Sequence, residues 1–318
     1  MSGLKQKLKV ILELHLCAYG TMHVINHVIS SSAVLKNILK PQTGNYYHWK
    51  MGDVFYRKTG KGTPLLLIHD LNPYSSGLEW YQIEERLKNN HTLYTIDLPG
   101  CGRSAKPGIT YTNYLYVQMI SDFIRDVIGE KTDIAATGLS SSFVIMAAYS
   151  DSTYIDRILM VNPVSLNRLG QIPNEKSKAI RTLMCWPVVG TSVYHMKACR
   201  QNLEYEMTEN YFYNPFHIQQ KLLDGYYEAA HYQKGQGKYL LASLDGNYLN
   251  VDIRKPLGKL ENKTGILFGN RLENERDVVQ SYQKINEEII SAAIPDTKLL
   301  PQLEAPEKVA AKILEFLL

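Results

Sequence analysis

The residues best suited to chemistry are Thr137-Gly138-Leu139-Ser140-Ser141-Ser142. The run Ile134-Ala135-Ala136 leads into them and the run Phe143-Val144-Ile145-Met146-Ala147-Ala148 leads out. This pattern predicts a strand, a sharp turn and a helix, with Ser140 at the apex. A hydroxyl held that way stands clear of a sheet and can attack an acyl carbon. It then needs a base to take its proton, a carboxylate to orient the base, and amides to hold the oxyanion. The spacing follows G-x-S-x-G except at its end, where Ser142 stands in place of the last glycine.

Other patterns carry less. His23 and His27 lie four residues apart, a spacing that can hold a metal, but without the glutamate of an H-E-x-x-H motif they read as a polar helix face, and no metal is expected. Gly100-x-Gly102-x-x-Ala105 follows a strand as a dinucleotide-binding loop would. Lys106-Pro107-Gly108 stops the helix such a loop must open, so no cofactor is expected. Cys17, Cys101, Cys185 and Cys199 have neither metal nor C-x-x-C spacing. They read as free thiols in a reducing compartment, which places the chain in the cytoplasm, with membrane association left open. With 35 basic and 31 acidic residues among 318, no nucleic-acid groove is expected.

The elements that must position the serine follow from apolar periodicity. Tyr46 to Lys50 and Val54 to Lys58 alternate about Met51-Gly52-Asp53, which predicts a hairpin. The run Leu65-Leu66-Leu67-Ile68 reads as a strand buried on both faces of a parallel sheet. Helices are expected at about 77–88 and 113–128, and strands at 92–96, 133–136 and 157–161. The core resumes at Gly265-Ile266-Leu267-Phe268-Gly269 and continues as a helix to about Ile290, a strand at 292–294 and a helix over 304–318. Such alternation predicts a doubly wound, mostly parallel α/β sheet. Between about Ser165 and Gly246 the segment is tyrosine-rich and helical in character, and reads as an inserted lid. The expected divisions are an N-terminal helical extension (1–43), a first part of the core (44–164), the lid (165–246) and a second part of the core (247–318).

The extension is basic at Lys5, Lys7 and Lys9, and no charged residue occurs between Glu13 and Lys36. A spanning helix needs about 20 predominantly apolar residues, and this window carries His15, His23, Asn26, His27 and three serines. It reads as an amphipathic helix with Met22, Ile25, Ile29 and Leu35 on one face, docked on the domain or making peripheral contact with a membrane.

Asp97-Leu98-Pro99-Gly100-Cys101-Gly102-Arg103-Ser104, with Leu65 to Asp70 before it and the serine turn after it, resembles the α/β-hydrolase superfamily, in particular its lidded serine esterases. Gly269 and the terminal Leu300-Pro301-Gln302-Leu303-Glu304-Ala305-Pro306-Glu307 extend the likeness over about residues 46–318. The resemblance implies Ser140 as nucleophile, the amides of Ser141 and Leu71 as the oxyanion hole, and His69 and Asp70 as the loop that shapes the pocket. It puts the acid at Leu272 and the histidine at Leu299, so both partners of the serine are replaced by leucine. Glu273 or Glu275 is the substitute acid from a neighbouring position, and His195, His217 and His231 of the lid are the candidate replacement bases. Two readings follow. One is a hydrolase with weak or no turnover by the usual mechanism, taking a small apolar ester-like or acyl ligand; the other is a non-catalytic protein of the same fold that binds such a ligand or a protein partner.

Overall fold

The computed structural model describes residues 2–40 and 43–318. Met1, Pro41 and Gln42, all within the expected N-terminal extension, lie outside them. Eight strands form one sheet: β1 (Asn45–Trp49), β2 (Gly52–Gly60), β3 (Thr63–Ile68), β4 (His91–Ile96), β5 (Thr132–Thr137), β6 (Ile155–Val161), β7 (Thr264–Gly269) and β8 (Ile290–Ile294). Their order is β1-β2-β4-β3-β5-β6-β7-β8. The β1–β2 hairpin and the β2–β4 pair are antiparallel, and every other neighbour is parallel.

The period of two is visible in the core. Leu66, Ile68, Ile134 and Ala136 point into one hydrophobic cluster, whereas Leu65, Leu67 and Ala135 point into the other. Fully burying each such leucine or isoleucine stabilises by about 1.5–3 kcal/mol, so both faces require a helical cover.

Helix α1 (Ser2–Ala33) precedes the sheet; α2 (Tyr81–Leu87) packs on one face, and α3 (Asn113–Phe123) and α4 (Ser140–Ser150) on the other. Between β6 and β7 run α5 (Leu166–Leu169), α6 (Glu175–Cys185), α7 (Val189–Lys197), α8 (Arg200–Glu206), α9 (Gln220–His231), α10 (Lys238–Asp245) and α11 (Arg254–Leu257). After β7 come α12 (Glu275–Gln283), β8, α13 (Pro301–Glu304) and α14 (Pro306–Leu317). A third cluster, including Tyr194, Phe212, Tyr226 and Leu300, joins the helical insertion to the core.

Three element expectations change. The helix after β7 ends at Gln283, well before Ile290. The terminal helix is two, because Pro306 opens α14 at a position where its missing N–H is not needed. The predicted 113–128 helix closes in one wider turn at Ile124–Ile128, ended by left-handed Gly129.

The extension departs most. Helix α1 is long and apolar enough to cross a membrane. Residues 4–20 are exposed throughout, and the helix buries Asn26, Ser30 and Ala33 against the body, with Met22 and Ile29 half-buried. The face expected to dock on the domain or on a membrane is split, with Met22 and Ile29 half-buried and Ile25 and Leu35 exposed. Polar contacts select the buried face: Asn26 Nδ2 donates to the Val188 carbonyl at 3.0 Å, Ser192 Oγ donates to Asn26 Oδ1 at 3.1 Å, and Ser30 Oγ meets His195 Nε2 at 3.2 Å.

Candidate functional site

The turn after β5 is built about Gly138. Its φ is 57°, a left-handed conformation that glycine adopts without strain, and its N–H donates to the Val161 carbonyl at 2.9 Å. Ser140 is two residues further on, at the first residue of α4. The apex is therefore Gly138 and not Ser140, because a strand-to-helix elbow needs its left-handed residue at the tip. Read in this frame, Gly138 takes the central place of the elbow pattern, between Ala136 and Ser140.

The three serines fasten the turn. Ser140 Oγ donates to the His69 carbonyl at 2.7 Å, Ser141 Oγ to that of Ala136 at 2.8 Å, and Ser142 Oγ to that of Leu139 at 2.7 Å. All three are buried. The Ser141 amide is engaged within the turn, donating to the Gly138 carbonyl at 3.3 Å, so it is not the donor expected for an oxyanion. The amides that do converge are those of Leu71 and Leu139. They lie 2.8 and 2.9 Å from one oxygen, Asp70 Oδ1. Two backbone donors at that range on a single oxygen have the geometry of an oxyanion hole.

Asp70 thus does something the sequence did not disclose. A Cβ built on Gly138 would overlap its carboxylate. The group lies deep in the molecule yet keeps some accessible surface. Burial pushes its pKa up, and the two amides pull it back toward the charged form. Its own N–H donates to Glu79 Oε2 at 3.2 Å, while Tyr226 donates to Glu79 Oε1 at 2.8 Å. Burial, and then the charge of Asp70, raise Glu79 to about 8. Asp70, with two amide donors on one oxygen, is the better placed of the two carboxyls to carry negative charge.

His69 lies beneath this loop. Its Nδ1 donates to the Asp70 carbonyl at 2.6 Å and its Nε2 accepts from Leu98 N–H at 3.0 Å, which fixes a neutral ring. Burial lowers it to about 4. Nearby, Asp97 accepts from Gly77 N–H, Arg103 N–H and the Arg103 guanidinium, at 2.6–3.0 Å. This buried ion pair ties the Gly100–Ser104 turn to the end of β4.

The remaining expected positions fall apart from this centre or carry no charge. Leu272 is half-buried in the turn after β7, and Glu273 beside it is exposed. Leu299 is half-buried against the third cluster, its N–H donating to the Tyr211 carbonyl at 3.1 Å. Asn162, at the end of β6, braces that segment: its Nδ2 donates to the carbonyls of Lys298 and Leu299 at 3.0 and 2.8 Å, and its Oδ1 accepts from Gly269 N–H at 2.9 Å. Among the described residues no imidazole hydrogen-bonds Ser140. His195 and His231 stack on each other, centroids 4.9 Å apart, at the seam with α1, and His217 meets Asn214. Sequence reasoning missed Gly138, Leu139, Glu79 and Asn162. The aspartate in place of glycine after His69 was the one signal pointing to the first two.

No family model matches the chain. An uncharacterized protein of Mycobacterium tuberculosis strain H37Rv is 27% identical over 107 residues, 34% of this chain and 31% of that protein. The 2-hydroxy-6-oxo-6-(2'-aminophenyl)hexa-2,4-dienoic acid hydrolase of Metapseudomonas resinovorans is 33% identical over 72 residues, 22% of this chain and 24% of that enzyme. The matched stretches span about a third or less of these curated relatives. Solved structures cover far more. The Bacillus subtilis carboxylesterase CesB superposes with a TM-score of 0.68 at 14% identity over 93% of this chain and 98% of its own. The epoxide hydrolase CorEH gives 0.69 at 17% over 86% and 98%. A bacterial membrane phospholipase A gives 0.68 at 17% over 98% of each chain. The fold is that of the α/β-hydrolases.

Proposed function

We propose that this α/β-hydrolase-fold protein works by binding and not by turnover, because its reaction centre is filled from within. The observation that carries the reading is the Asp70 carboxylate, held at 2.8 and 2.9 Å by the amides of Leu71 and Leu139. A substrate carbonyl could develop negative charge there only by displacing the carboxyl group already in place. Gly138 offers no nucleophile at the apex, and the Ser140 hydroxyl is buried with its proton directed at a carbonyl. Leu272 and Leu299, at the family's acid and histidine positions, cannot move a proton.

The ligand class proposed is a small apolar ester-like or acyl compound. The similar structures include an esterase and a phospholipase, and leucine in place of two charged groups makes the surroundings drier. The helical insertion is read as the lid over this ligand, with 165–246 as its bounds.

A fluorophosphonate probe and a short-chain aryl ester test the reading. The expected result is no labelling and no hydrolysis above the Ser140→Ala variant, with the ester recovered intact while raising the melting temperature. Rapid labelling abolished by Ser140→Ala would establish the weak-hydrolase reading instead.

A further inference from the structure

Helix α1 is built inside out. The side chains it buries against the body are Asn26, Ser30 and Ala33, polar or small, spaced four and three residues apart on one face. In the docked turns Val24, Ile25 and Val28 face outward at 61%, 51% and 57% exposure, with Met22 and Ile29 half-buried, and in the projecting turns Leu8, Leu12, Leu14 and Leu16 are uncovered. A helix at home in water does the reverse. Small and polar residues toward protein with apolar residues outward is the arrangement of a helix whose solvent is hydrocarbon.

We infer that α1 anchors this protein in a lipid bilayer, with its C-terminal turns docked on α7. Its length fits. The stretch from Val10 to Ile25, beyond the three lysines, measures about 24 Å at about 1.5 Å per residue, and the lysine stems extend it toward the roughly 30 Å of a bilayer's hydrocarbon. Charge is placed to suit. Lys5, Lys7 and Lys9 stand at the far end, where their long stems reach lipid phosphates. Glu13, the one acidic residue of the helix, pairs with Lys9 at 3.8 Å. Without a cover, the projecting turns would be an isolated helix with no tertiary support, a marginal structure in water.

The seam also distinguishes an anchor from a removable leader. Asn26 is bonded to both the Val188 carbonyl and Ser192, and Ser30 to His195. Just beyond the helix, Lys36 pairs with Asp224, and the N–H groups of Ile38 and Leu39 donate to Glu228. These contacts hold α1 as part of the folded body.

The test is flotation of the full-length chain with phosphatidylcholine vesicles containing phosphatidylglycerol, beside the triple variant Ile11→Lys, Leu14→Lys, Ala18→Lys. All three positions are exposed and touch nothing in the body, so the melting temperature serves as a control and stays unchanged. Wild type should float and the variant should not, its partition falling by roughly a hundredfold or more for three charges placed in hydrocarbon. Wild type left at the bottom of the gradient, equal flotation of the two, or a detergent-free soluble dimer lost in the variant each overturns the inference, the last by showing a second copy as the cover.

Discussion

The carboxylate of Asp70 occupies the space that a side chain at Gly138 would need, so the two positions are interlocked. The same carboxylate takes the two amides of the turn and its neighbouring loop at 2.8 and 2.9 Å. One residue therefore both requires glycine at the apex and satisfies the donors around it.

Gly138→Ser should unfold the site, not restore it. The new side chain meets the Asp70 carboxylate and sits at a φ of 57°, where a non-glycine residue costs roughly 1–2 kcal/mol before any overlap. A loss of about 3 kcal/mol in urea unfolding is expected, and Asp70→Gly in the same chain should recover part of it. Melting together with wild type would mean that Asp70 leaves its place easily.

Asp70→Ala leaves the Leu71 and Leu139 amides buried without an acceptor, at a cost of about 2–3 kcal/mol. Acetate should then raise the melting temperature of the variant more than that of wild type, by taking the vacated position. Equal response of the two proteins would count against convergent donors there.

Leu272→Asp with Leu299→His should create no esterase on its own, since the apex still lacks a hydroxyl and the amides are still engaged. Adding Asp70→Gly and Gly138→Ser should yield slow hydrolysis of an aryl ester and fluorophosphonate labelling at position 138. Labelling at Ser140 in the double variant would return the elbow to its sequence-based frame.

Glu79 has its pKa raised from the usual 4.5 to about 8. Between those values the folded chain holds a proton that the unfolded chain has released, so stability from this group is greatest below pH 4.5 and is lost as pH rises toward 8. Glu79→Gln, which mimics the protonated form, should flatten that decline in melting temperature across pH 5–8. An unchanged slope would place the proton elsewhere.

His195 is shifted the other way, from 6.5 to about 4, by burial and by His231 against it. The unfolded chain then binds the proton first, so the contribution of this group is present above pH 6.5 and lost as pH falls toward 4. Because Ser30 is bonded to this ring, limited proteolysis near residues 30–40 should speed up over that range in wild type and much less in His195→Gln.

The strands could be read because runs such as Leu65–Ile68 are continuous, apolar and bounded by turn residues, leaving only a two-faced strand as their home. The Asp97 to Ser104 motif was legible for a related reason. Gly102 must adopt a φ of 45° with no Cβ beside Asp97, so its glycine is a geometric necessity. The elbow frame was not legible, since Thr137-Gly138-Leu139-Ser140-Ser141-Ser142 accommodates a tip at either Gly138 or Ser140 and only the backbone angle tells them apart. Nor could periodicity give the orientation of α1. It identifies an apolar face but not whether that face turns toward protein or away.

The interlock of Asp70 and Gly138 also means that neither position can change alone without cost. A substitution that places a hydroxyl at the tip meets the carboxylate, and one that removes the carboxylate strands two amides. Either first step lowers stability without returning any chemistry, and two leucines would still have to change. On the binding reading proposed above, no single substitution therefore leads from this turn to a hydroxyl nucleophile at its tip.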